Sequence, residues 1–333
     1  MPIPQNELIA VLADGCFHSG SALGERWRVS RAAIAKAIGK LTYLGLDVCA
    51  VKGKGYRLVD RISLLDAQCI LGSVDAKNKS RINQFEIFPT LPSTNSYLLD
   101  QVSDHLQLPD SSLNICLAEM QSAGRGSRGR NWISPFGQNV YMSLLREFSV
   151  GAQSLGGLSL AIGVGVARVL EKFHIDEVGL KWPNDVFVSK KKAAGILIEI
   201  KGDALQICHV VIGIGVNLKL SNEQMTAVQQ PWTSLAAHGF NIARRSEFVG
   251  ELLNSVIEVV DEYERLGFEV FMAEWAQKDL AAGSQLELKV ANRTLSGVGR
   301  GVDRTGSLLV QIGHSVEAYS NGEVSLRFSN ADG

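Results

Sequence analysis

The sequence lacks any pair of cysteines close enough along the chain to form a metal-binding or redox motif. Its five cysteines are odd in number and widely spaced: Cys16, Cys49, Cys69, Cys116 and Cys208. This spacing argues against a disulfide framework and against a zinc site. We expect the cysteines to be small buried side chains in a reducing cytoplasm.

A long apolar segment is also missing. No uninterrupted apolar run has the length needed to span a membrane, and the polar start from Met1 to Asn6 does not have the form of a signal peptide. The net charge of -1 means that any contact with nucleic acid must come from a local patch. With 333 residues, of which 46% are hydrophobic, the chain has room for two or three domains. We therefore predict a cytoplasmic protein that does not enter the membrane.

The N-terminal segment predicts three short helices followed by a β-hairpin. The third helix runs from Ser30, which is suited to capping it, to Leu44, and Gly45 ends it. The hairpin has a basic tip at residues 52–55. This order is typical of a winged helix-turn-helix, and the alternative is a helical docking domain with a solvated charged face. The candidates for DNA contact are Ser30, Arg31, Lys36, Lys40, Lys52 and Lys54.

A loop rich in glycine and arginine is the main local signal. Residues 124–132 read Gly-Arg-Gly-Ser-Arg-Gly-Arg-Asn-Trp and lie between two predicted strands, 115–119 and 139–144. Glycines let a ligand approach the backbone, and arginines offer planar donors that match a carboxylate or a phosphate. We predict a cradle for an anion rather than a solvated surface loop, because strands on both sides hold the loop in shape. The spacing is not that of a Walker P-loop.

Further polar residues gather at the ends of predicted strands. Ser93-Thr94-Asn95 either caps the next helix or binds an uncharged ligand, and residues 181–185, Lys-Trp-Pro-Asn-Asp, form either a surface turn or part of a site. Lys192 begins an apolar strand and is placed to point along a pocket. The polar stretch 219–230, closed by Trp232, has the composition of a lid.

The remaining elements are two long helices and a group of short strands. We predict one continuous helix over residues 152–173 and an amphipathic helix over residues 246–266. A drop in apolar content across residues 60–83 indicates a domain boundary. Turn signals separate the last strands and predict a small β-barrel. These strands are 286–290, 295–302, 308–312, 316–319 and 323–328.

Four motifs together closely resemble the bacterial bifunctional biotin-protein ligases, also called biotin operon repressors. They are residues 124–132, 181–185, 192–196 (Lys-Ala-Ala-Gly-Ile) and 213–217 (Gly-Ile-Gly-Val-Asn). The match continues to residues 322–327 and so covers nearly the whole chain. The resemblance implies an α+β fold of three domains. These are a winged helix-turn-helix in residues 1–62, a central mixed-sheet catalytic domain like that of biotin and lipoyl ligases in 63–270, and a C-terminal SH3-like small β-barrel in 271–333.

The resemblance implies a two-step reaction. Biotin and MgATP give biotinoyl-5′-AMP and pyrophosphate, and a lysine of the biotin carboxyl carrier protein of acetyl-CoA carboxylase then takes the biotinoyl group. Mg²⁺ is expected to be bound mainly through ATP. The adenylate-bound protein is expected to form a homodimer and to repress a biotin biosynthesis operon by binding operator DNA. Two alternatives are a lipoate-protein ligase and a transcription factor that senses a ligand without catalysis.

The resemblance also implies roles for individual residues. Catalytic roles fall to Lys192, Arg125 and Asp185, with Lys192 bridging the biotin carboxylate and the α-phosphate. The biotin side comprises Ser93, Thr94, Asn95, Gln121, Gly124, Arg125, Gly126, Ser127, Lys192, Gly195 and Gly213. The nucleotide side comprises Arg128, Arg130, Trp132, Lys181, Asn184, Asn217, Val228 and Trp232. These cations suit the chemistry, because the reaction brings two anions together.

One residue departs from the family pattern. The family commonly reads Gly-Arg-Gly-Arg-Arg-Gly-Arg, and this chain has Ser127 in place of the middle arginine. The substitution removes one guanidinium group near the adenylate, and it therefore bears on the binding of the adenylate and on the ordering of the loop. We expect the site to work because Arg125, Arg128 and Arg130 remain.

Overall fold

The N-terminal part of the molecule is a helical unit with a hairpin. The computed structural model describes residues 3–60, 62–102, 108–109, 111–202, 207–221, 223–226, 228, 230–290, 293–320 and, as backbone only, 324–328. The first elements are α1 (Gln5–Leu12), α2 (Gly20–Trp27), α3 (Arg31–Thr42), β1 (Val48–Val51) and β2 (Gly55–Leu58), with β1 and β2 antiparallel. Ser30 caps α3 as predicted, because its Oγ accepts a hydrogen bond from Ala33 N at 3.1 Å.

The N-terminal unit shares its interior with the next part of the chain. Its buried residues come from all three helices and from both sides of the hairpin: Leu8, Ile9, Leu12, Leu23, Ile34, Ile38, Leu41, Leu46 and Leu58. Phe136, which follows the glycine- and arginine-rich loop, is 1% exposed and packs within this same cluster. Met120, Ile62 and Leu64 pack against the cluster from outside. The winged unit is therefore seated on the central domain.

A seven-stranded mixed sheet forms the centre of the molecule, in the order β3-β4-β5-β9-β8-β7-β6. Its elements, with the helices between and after them, are α4 (Ala67–Gly72), α5 (Ala76–Lys79), β3 (Ile82–Leu91), α6 (Thr94–Gln101), β4 (Leu113–Gln121), β5 (Val140–Phe148), α7 (Leu158–Lys172), β6 (Val178–Lys181), β7 (Asp185–Val188), β8 (Lys191–Gly202), β9 (Cys208–Val216), α8 (Arg245–Leu266) and α9 (Met272–Lys278). Only β3 and β4 pair in parallel among these strands. Helices α7 and α8 pack on one face, and α6 covers part of the other.

The predicted continuous helix over residues 152–173 is wrong at its start. The chain forms a short 3-10 turn, Ala152–Leu155, and α7 begins only at Leu158. Two glycines separate these segments, and the loop that contains Gly306 lies directly on Gly157. The segment Ala152–Lys172 is long and apolar enough to cross a membrane, but 78% of its apolar window is buried inside the protein. Its helical part, α7, is a buried helix of the core.

A five-stranded antiparallel sheet ends the chain, in the order β13-β12-β11-β10-β14. Its strands are β10 (Gln285–Val290), β11 (Arg293–Val302), β12 (Leu308–Ile312), β13 (Ser315–Tyr319) and β14 (Val324–Phe328). This arrangement matches the expected small barrel. Leu286, Leu288 and Leu308 are fully buried and belong to the same core as the central sheet. Gly322 and Glu323, which were part of the resemblance, lie outside the described residues.

The cysteines are only partly where they were expected. Cys116 and Cys208 are buried, whereas Cys16 and Cys69 are exposed and Cys49 is intermediate, and all five are free thiols. The prediction of buried cysteines is therefore wrong for Cys16 and Cys69, which lie on short solvent-facing segments. Burial raises the pKa of the Cys116 thiol to about 12, so this group is uncharged at neutral pH.

Candidate functional site

The glycine- and arginine-rich loop folds back on itself and delivers Trp132 onto the central sheet. Gly126 N donates to Arg130 O at 2.7 Å, and Trp132 N donates to Gly124 O at 2.8 Å. The indole of Trp132 then lies against β9 at Gly215, where a Cβ atom would come within 2.6 Å of the ring. A side chain at residue 215 would displace the ring. The glycine is therefore required for this close approach.

Lys192 is the buried cation of the site. It is 7% exposed, and its Nζ lies 2.5 Å from Oδ1 of Asp185 and 5.2 Å from the centre of the Trp132 ring. The contact with Asp185 is an ion pair without hydrogen-bond alignment. A buried cation held by one carboxylate and one aromatic face can exchange that carboxylate for a substrate anion.

Three of the expected nucleotide-side residues lie on segments that contact the strand of Lys192: Asn184, Asn217 and Trp232. The backbone of Lys192 pairs with the segment that carries Trp232, since Lys192 N donates to Pro231 O at 3.1 Å and Thr233 N donates to Lys192 O at 2.9 Å. The side chain of Asn184 donates to Ile196 O at 2.7 Å. Asn217 Nδ2 donates to Thr233 O at 3.2 Å, and Lys181 Nζ lies 5.6 Å from the Phe187 ring centre.

Val228 and Trp232 line one open cleft of about 530 Å³. These are the residues that the resemblance assigns to closing over the adenine. Residues 222, 227 and 229 of the predicted lid lie outside the described residues.

An uncharged polar cluster occupies the expected biotin side. Ser93 caps α6, and Thr94 N and Oγ1 donate to Gln121 Oε1 at 2.9 and 3.2 Å. The fully buried Ser143 donates to Thr94 Oγ1 at 2.7 Å or to Asn95 Oδ1 at 2.6 Å. Asn95 lies over β9 at Gly213. Donors and acceptors in this closed cluster can be redirected to an uncharged polar group such as a urea.

Arg125 is held next to this cluster by Glu199 and Ser96. Its Nη2 forms an ion pair with Glu199 Oε1 at 2.6 Å, and its Nη1 donates to Ser96 Oγ at 3.2 Å. Glu199 Oε2 also accepts from Asn95 Nδ2 at 3.0 Å. Glu199 therefore connects the glycine- and arginine-rich loop to α6.

Ser127 makes a specific contact within its own loop. Arg130 Nη2 donates to Ser127 Oγ at 2.8 Å, and Arg130 Nε donates to Ser127 O at 3.2 Å. The residue that departs from the family pattern therefore turns the guanidinium of Arg130 back onto the loop. Arg128 lies at the centre of the turn with a φ of 60°.

Three residues of the site were not found from the sequence: Ser134, Ser143 and Glu199. Ser134 accepts a hydrogen bond from Gln121 Nε2 at 3.1 Å and was hidden in the residues after the loop. Ser143 lies within an apolar strand, and only its hydroxyl marks it. Glu199 had a usable signal, because it is the single charged residue in the apolar run 193–200.

The residues expected to contact DNA all face solvent. Arg31, Lys36 and Lys40 are exposed along α3, and Lys52 and Lys54 are exposed at the hairpin tip. Ser30 is exposed as well, although its Oγ is already used in capping α3. Helix α3 and the hairpin tip thus both present exposed basic side chains.

Comparison with known proteins gives matches to two families. Residues 5–57 match an HTH domain family, and residues 87–217 match the Biotin/lipoate A/B protein ligase family. The bifunctional ligase/repressor BirA of Escherichia coli is 38% identical over 321 residues, which is 96% of each chain. The biotin-[acetyl-CoA-carboxylase] ligase of Mycobacterium tuberculosis is 29% identical over 72% of this chain and 88% of its own.

A solved structure shares the fold. The biotin protein ligase of Aquifex aeolicus in complex with biotin and ATP superposes with a TM-score of 0.61 and 25% sequence identity. The superposition covers 74% of this chain and 100% of that one.

Proposed function

The chain belongs to the family of bifunctional biotin-protein ligases and repressors, and we propose that it joins biotin to AMP at the site around Lys192. It is an ATP-dependent biotin ligase whose N-terminal helix-turn-helix domain serves transcriptional repression. The observation that carries the proposed site is the buried ion pair of Lys192 with Asp185, placed between the Trp132 ring and the segment of Trp232. No other cation of the proposed site is buried in this way among the described residues.

The first step joins two anions. A biotin carboxylate oxygen attacks the α-phosphorus of ATP, the bond to the bridging oxygen breaks, and pyrophosphate leaves with the electron pair. The barrier is largely electrostatic, so a cation already held in a dry site lowers it without reorganisation. Lys192 supplies that cation, and Asp185 holds its ammonium group in place until the substrates arrive. Trp132 covers the same space and excludes water.

The second step transfers the biotinoyl group. The amine of an acceptor lysine attacks the carbonyl carbon of the mixed anhydride, and AMP leaves. The acceptor is expected to be the biotin carboxyl carrier protein of acetyl-CoA carboxylase. No side chain needs to form a covalent intermediate in either step.

Mg²⁺ would enter with the nucleotide. The described residues contain no group of three His, Cys, Asp or Glu side chains that could hold a metal ion, and Asp185, paired with Lys192, is the carboxylate nearest that lysine. This donor set fits a metal carried by the ATP phosphates, where it neutralises their charge.

The remaining assignments belong to the same proposal. Biotin is favoured over lipoate because the relatives at 38% and 29% identity are named for biotin ligation or for BirA. We place the domains at residues 1–62, 63–270 and 271–333. The adenylate-bound form is expected to dimerise through the central sheet and to bind operator DNA in the cytoplasm through two winged units.

Replacing Lys192 with alanine tests the site. Biotin-dependent exchange between ATP and pyrophosphate should fall by about 100-fold or more, which is the scale seen when one preorganised charge-stabilising group is removed. Lys190→Ala is the matched control, since Lys190 is exposed at the neighbouring hairpin tip. It should leave the exchange rate unchanged.

The same assay separates the alternatives. If lipoate replaced biotin in supporting exchange, the protein would be a lipoate ligase. If Lys192→Ala and Lys190→Ala had equal activity, the proposed site would be wrong. Transfer to a purified carrier domain, followed by intact-mass measurement, completes the test.

A further inference from the structure

The indole nitrogen of Trp182 connects the catalytic domain to the C-terminal sheet. Trp182 is 1% exposed, and its Nε1 donates to the carbonyl oxygen of Gly306 at 3.0 Å. The donor lies in the turn between β6 and β7, and the acceptor lies in the loop between β11 and β12. A buried N–H group left without an acceptor is costly, so this contact favours one relative position of the two loops.

The loop that carries Gly306 is held in shape by its own hydrogen bonds. Oδ1 of Asp303 accepts from Thr305 N at 2.8 Å and from Ser307 N at 2.9 Å, and Gly306 N donates to Asp303 O at 3.0 Å. Gly306 has a φ of +82°, and a Cβ atom at this residue would come within 2.6 Å of Gly157 Cα. The loop therefore offers the Gly306 carbonyl from a fixed position on the N-terminal end of α7.

Backbone carbonyl groups beside Trp182 accept hydrogen bonds from α7 and from the segment after α9. Ser159 Oγ, from the first turn of α7, donates to Pro183 O at 3.0 Å. Leu280 N, which follows α9, donates to Leu180 O at 2.9 Å. Within the turn, the side chain of Asn184 donates to Ile196 O in β8, whereas the hydrogen bond from Trp182 reaches the C-terminal sheet. The same turn carries Lys181, Asn184 and Asp185, and Asp185 pairs with Lys192.

We propose that Trp182 is a positioning residue that fixes the turn of residues 181–185 through its hydrogen bond to Gly306. The C-terminal sheet thereby contributes to nucleotide binding through this bond. The identity of the ligand rests on the proposed function, whereas the bracing of the turn does not.

Trp182→Phe tests the bond, because phenylalanine keeps an aromatic ring and removes the donor. The KM for MgATP in biotin-dependent pyrophosphate exchange should rise about five- to tenfold, the scale of one lost buried hydrogen bond, while the KM for biotin stays within about twofold. Asp303→Ala loosens the acceptor loop from the other side and should raise the same KM. The KM for MgATP of the double variant should not exceed that of Trp182→Phe alone, because both substitutions act on the same hydrogen bond.

Trp275→Phe is the matched control. Trp275 is equally buried, and its Nε1 faces the carboxylate of Asp279 and not Gly306. Its replacement should leave the KM for MgATP unchanged. If the two tryptophan variants raised this KM equally, or if Trp182→Phe raised the KM for biotin in parallel, the positioning role would be refuted.

Amide hydrogen exchange gives a readout that needs no substrate. Exchange at residues 181–185 should be faster in Trp182→Phe and in Asp303→Ala than in the wild type, and unchanged in Trp275→Phe. Unaltered exchange at these residues would overturn the proposal. A wild-type protein without pyrophosphate exchange would overturn the proposed function and leave the hydrogen-exchange result decisive for Trp182. If Trp182→Phe does not fold, Asp303→Ala carries both measurements.

Discussion

Single side chains decide how the site is arranged before substrates bind. Ser127 accepts two hydrogen bonds from Arg130 and so turns that guanidinium back onto its own loop. Arg125 is likewise engaged, by Glu199 and Ser96. Lys192 is thus the cation that is both buried and next to Trp132 in this state. Substrate anions would have to attract the two arginines from their present partners.

Asp261 gives a pH-dependent prediction. Burial opposes its ionisation, but hydrogen bonds from Arg81 and Arg146 outweigh that effect and hold its pKa below the usual value of 3.8. A lowered folded pKa means that Asp261 contributes stability above the unfolded pKa, and that this stability is lost as pH falls through the folded pKa. Asp261→Asn should therefore lower the free energy of unfolding at pH 7, and the difference from wild type should shrink below about pH 4.

Urea unfolding at several pH values between neutral and acid checks this expectation. Asp176→Asn, at an exposed aspartate, is the control and should match the wild type throughout. A difference between Asp261→Asn and wild type that stayed constant down to the lowest pH would contradict the assigned pKa direction.

At the residue level, the sequence indicated which side chains are chemically important better than it indicated which side chains contact one another. Lys192 and Asp185 could be singled out because charged residues at the ends of apolar strands are conspicuous. Their ion pair depends on the pairing of β7 with β8, where the register shifts next to Lys192. No local pattern encodes that irregularity. The same is true of Glu199, whose two partners lie 74 and 104 residues away in the chain.

Secondary-structure elements followed the sequence wherever local signals agreed. Helix α3 begins after its Ser30 cap and buries Ile34, Ile38 and Leu41, as its periodicity predicts. The prediction of a continuous helix over residues 152–173 was wrong at its start, because the apolar content of the segment suits a helix throughout. The break comes from a loop that is distant in the sequence and packs on Gly157. Tertiary contacts override propensity in such cases.

Helix α3 and the hairpin carry a prediction about DNA. Lys54, at the exposed tip, is suited to a backbone phosphate, so Lys54→Ala should weaken binding to operator-like palindromes and to random DNA alike. The slope of log affinity against log salt should fall in magnitude by about one. Gel shifts at several salt concentrations, with biotin and MgATP present, measure this slope.

Lys190→Ala serves as the control in these gel shifts, because Lys190 lies on the central domain. Equal slopes for Lys54→Ala and the wild type would remove the hairpin tip from the DNA contact.

At the scale of the whole molecule, a buried ion pair contacts the segment that joins the winged unit to the central domain. Arg245 is fully buried and pairs with Oε2 of Glu119 at 2.6 Å, while Oε1 of Glu119 accepts from Leu65 N at 2.6 Å. Arg245 also donates to Ser63 O at 2.9 Å and to Asn139 O at 2.7 Å. The segment that joins the winged unit to the catalytic domain is therefore fixed to the core. From the sequence, this segment showed a loss of apolar residues and the pattern of a short joining helix, which the structure places at Ala67–Gly72.

Glu119→Gln should destabilise the protein strongly. The change leaves Arg245 buried without a counter-charge, which costs about 3–5 kcal/mol in comparable cases. The unfolding midpoint in urea measures the effect. Glu147→Gln, at a part-exposed carboxylate 3.4 Å from His209, is the control and should cost less than about 1 kcal/mol. Similar losses of unfolding free energy in the two variants would mean that the buried pair contributes no more to stability than the part-exposed pair.

Phe136 bears on whether the winged unit can be removed from the protein. Its ring belongs to the central domain by sequence but fills the interior of the winged unit. A descendant that lost residues 1–62 would expose this ring to water, together with Met120 and Leu64, which pack against the same cluster. We therefore expect a truncated protein that begins after residue 62 to be less soluble than the full chain unless these apolar side chains are replaced by polar ones.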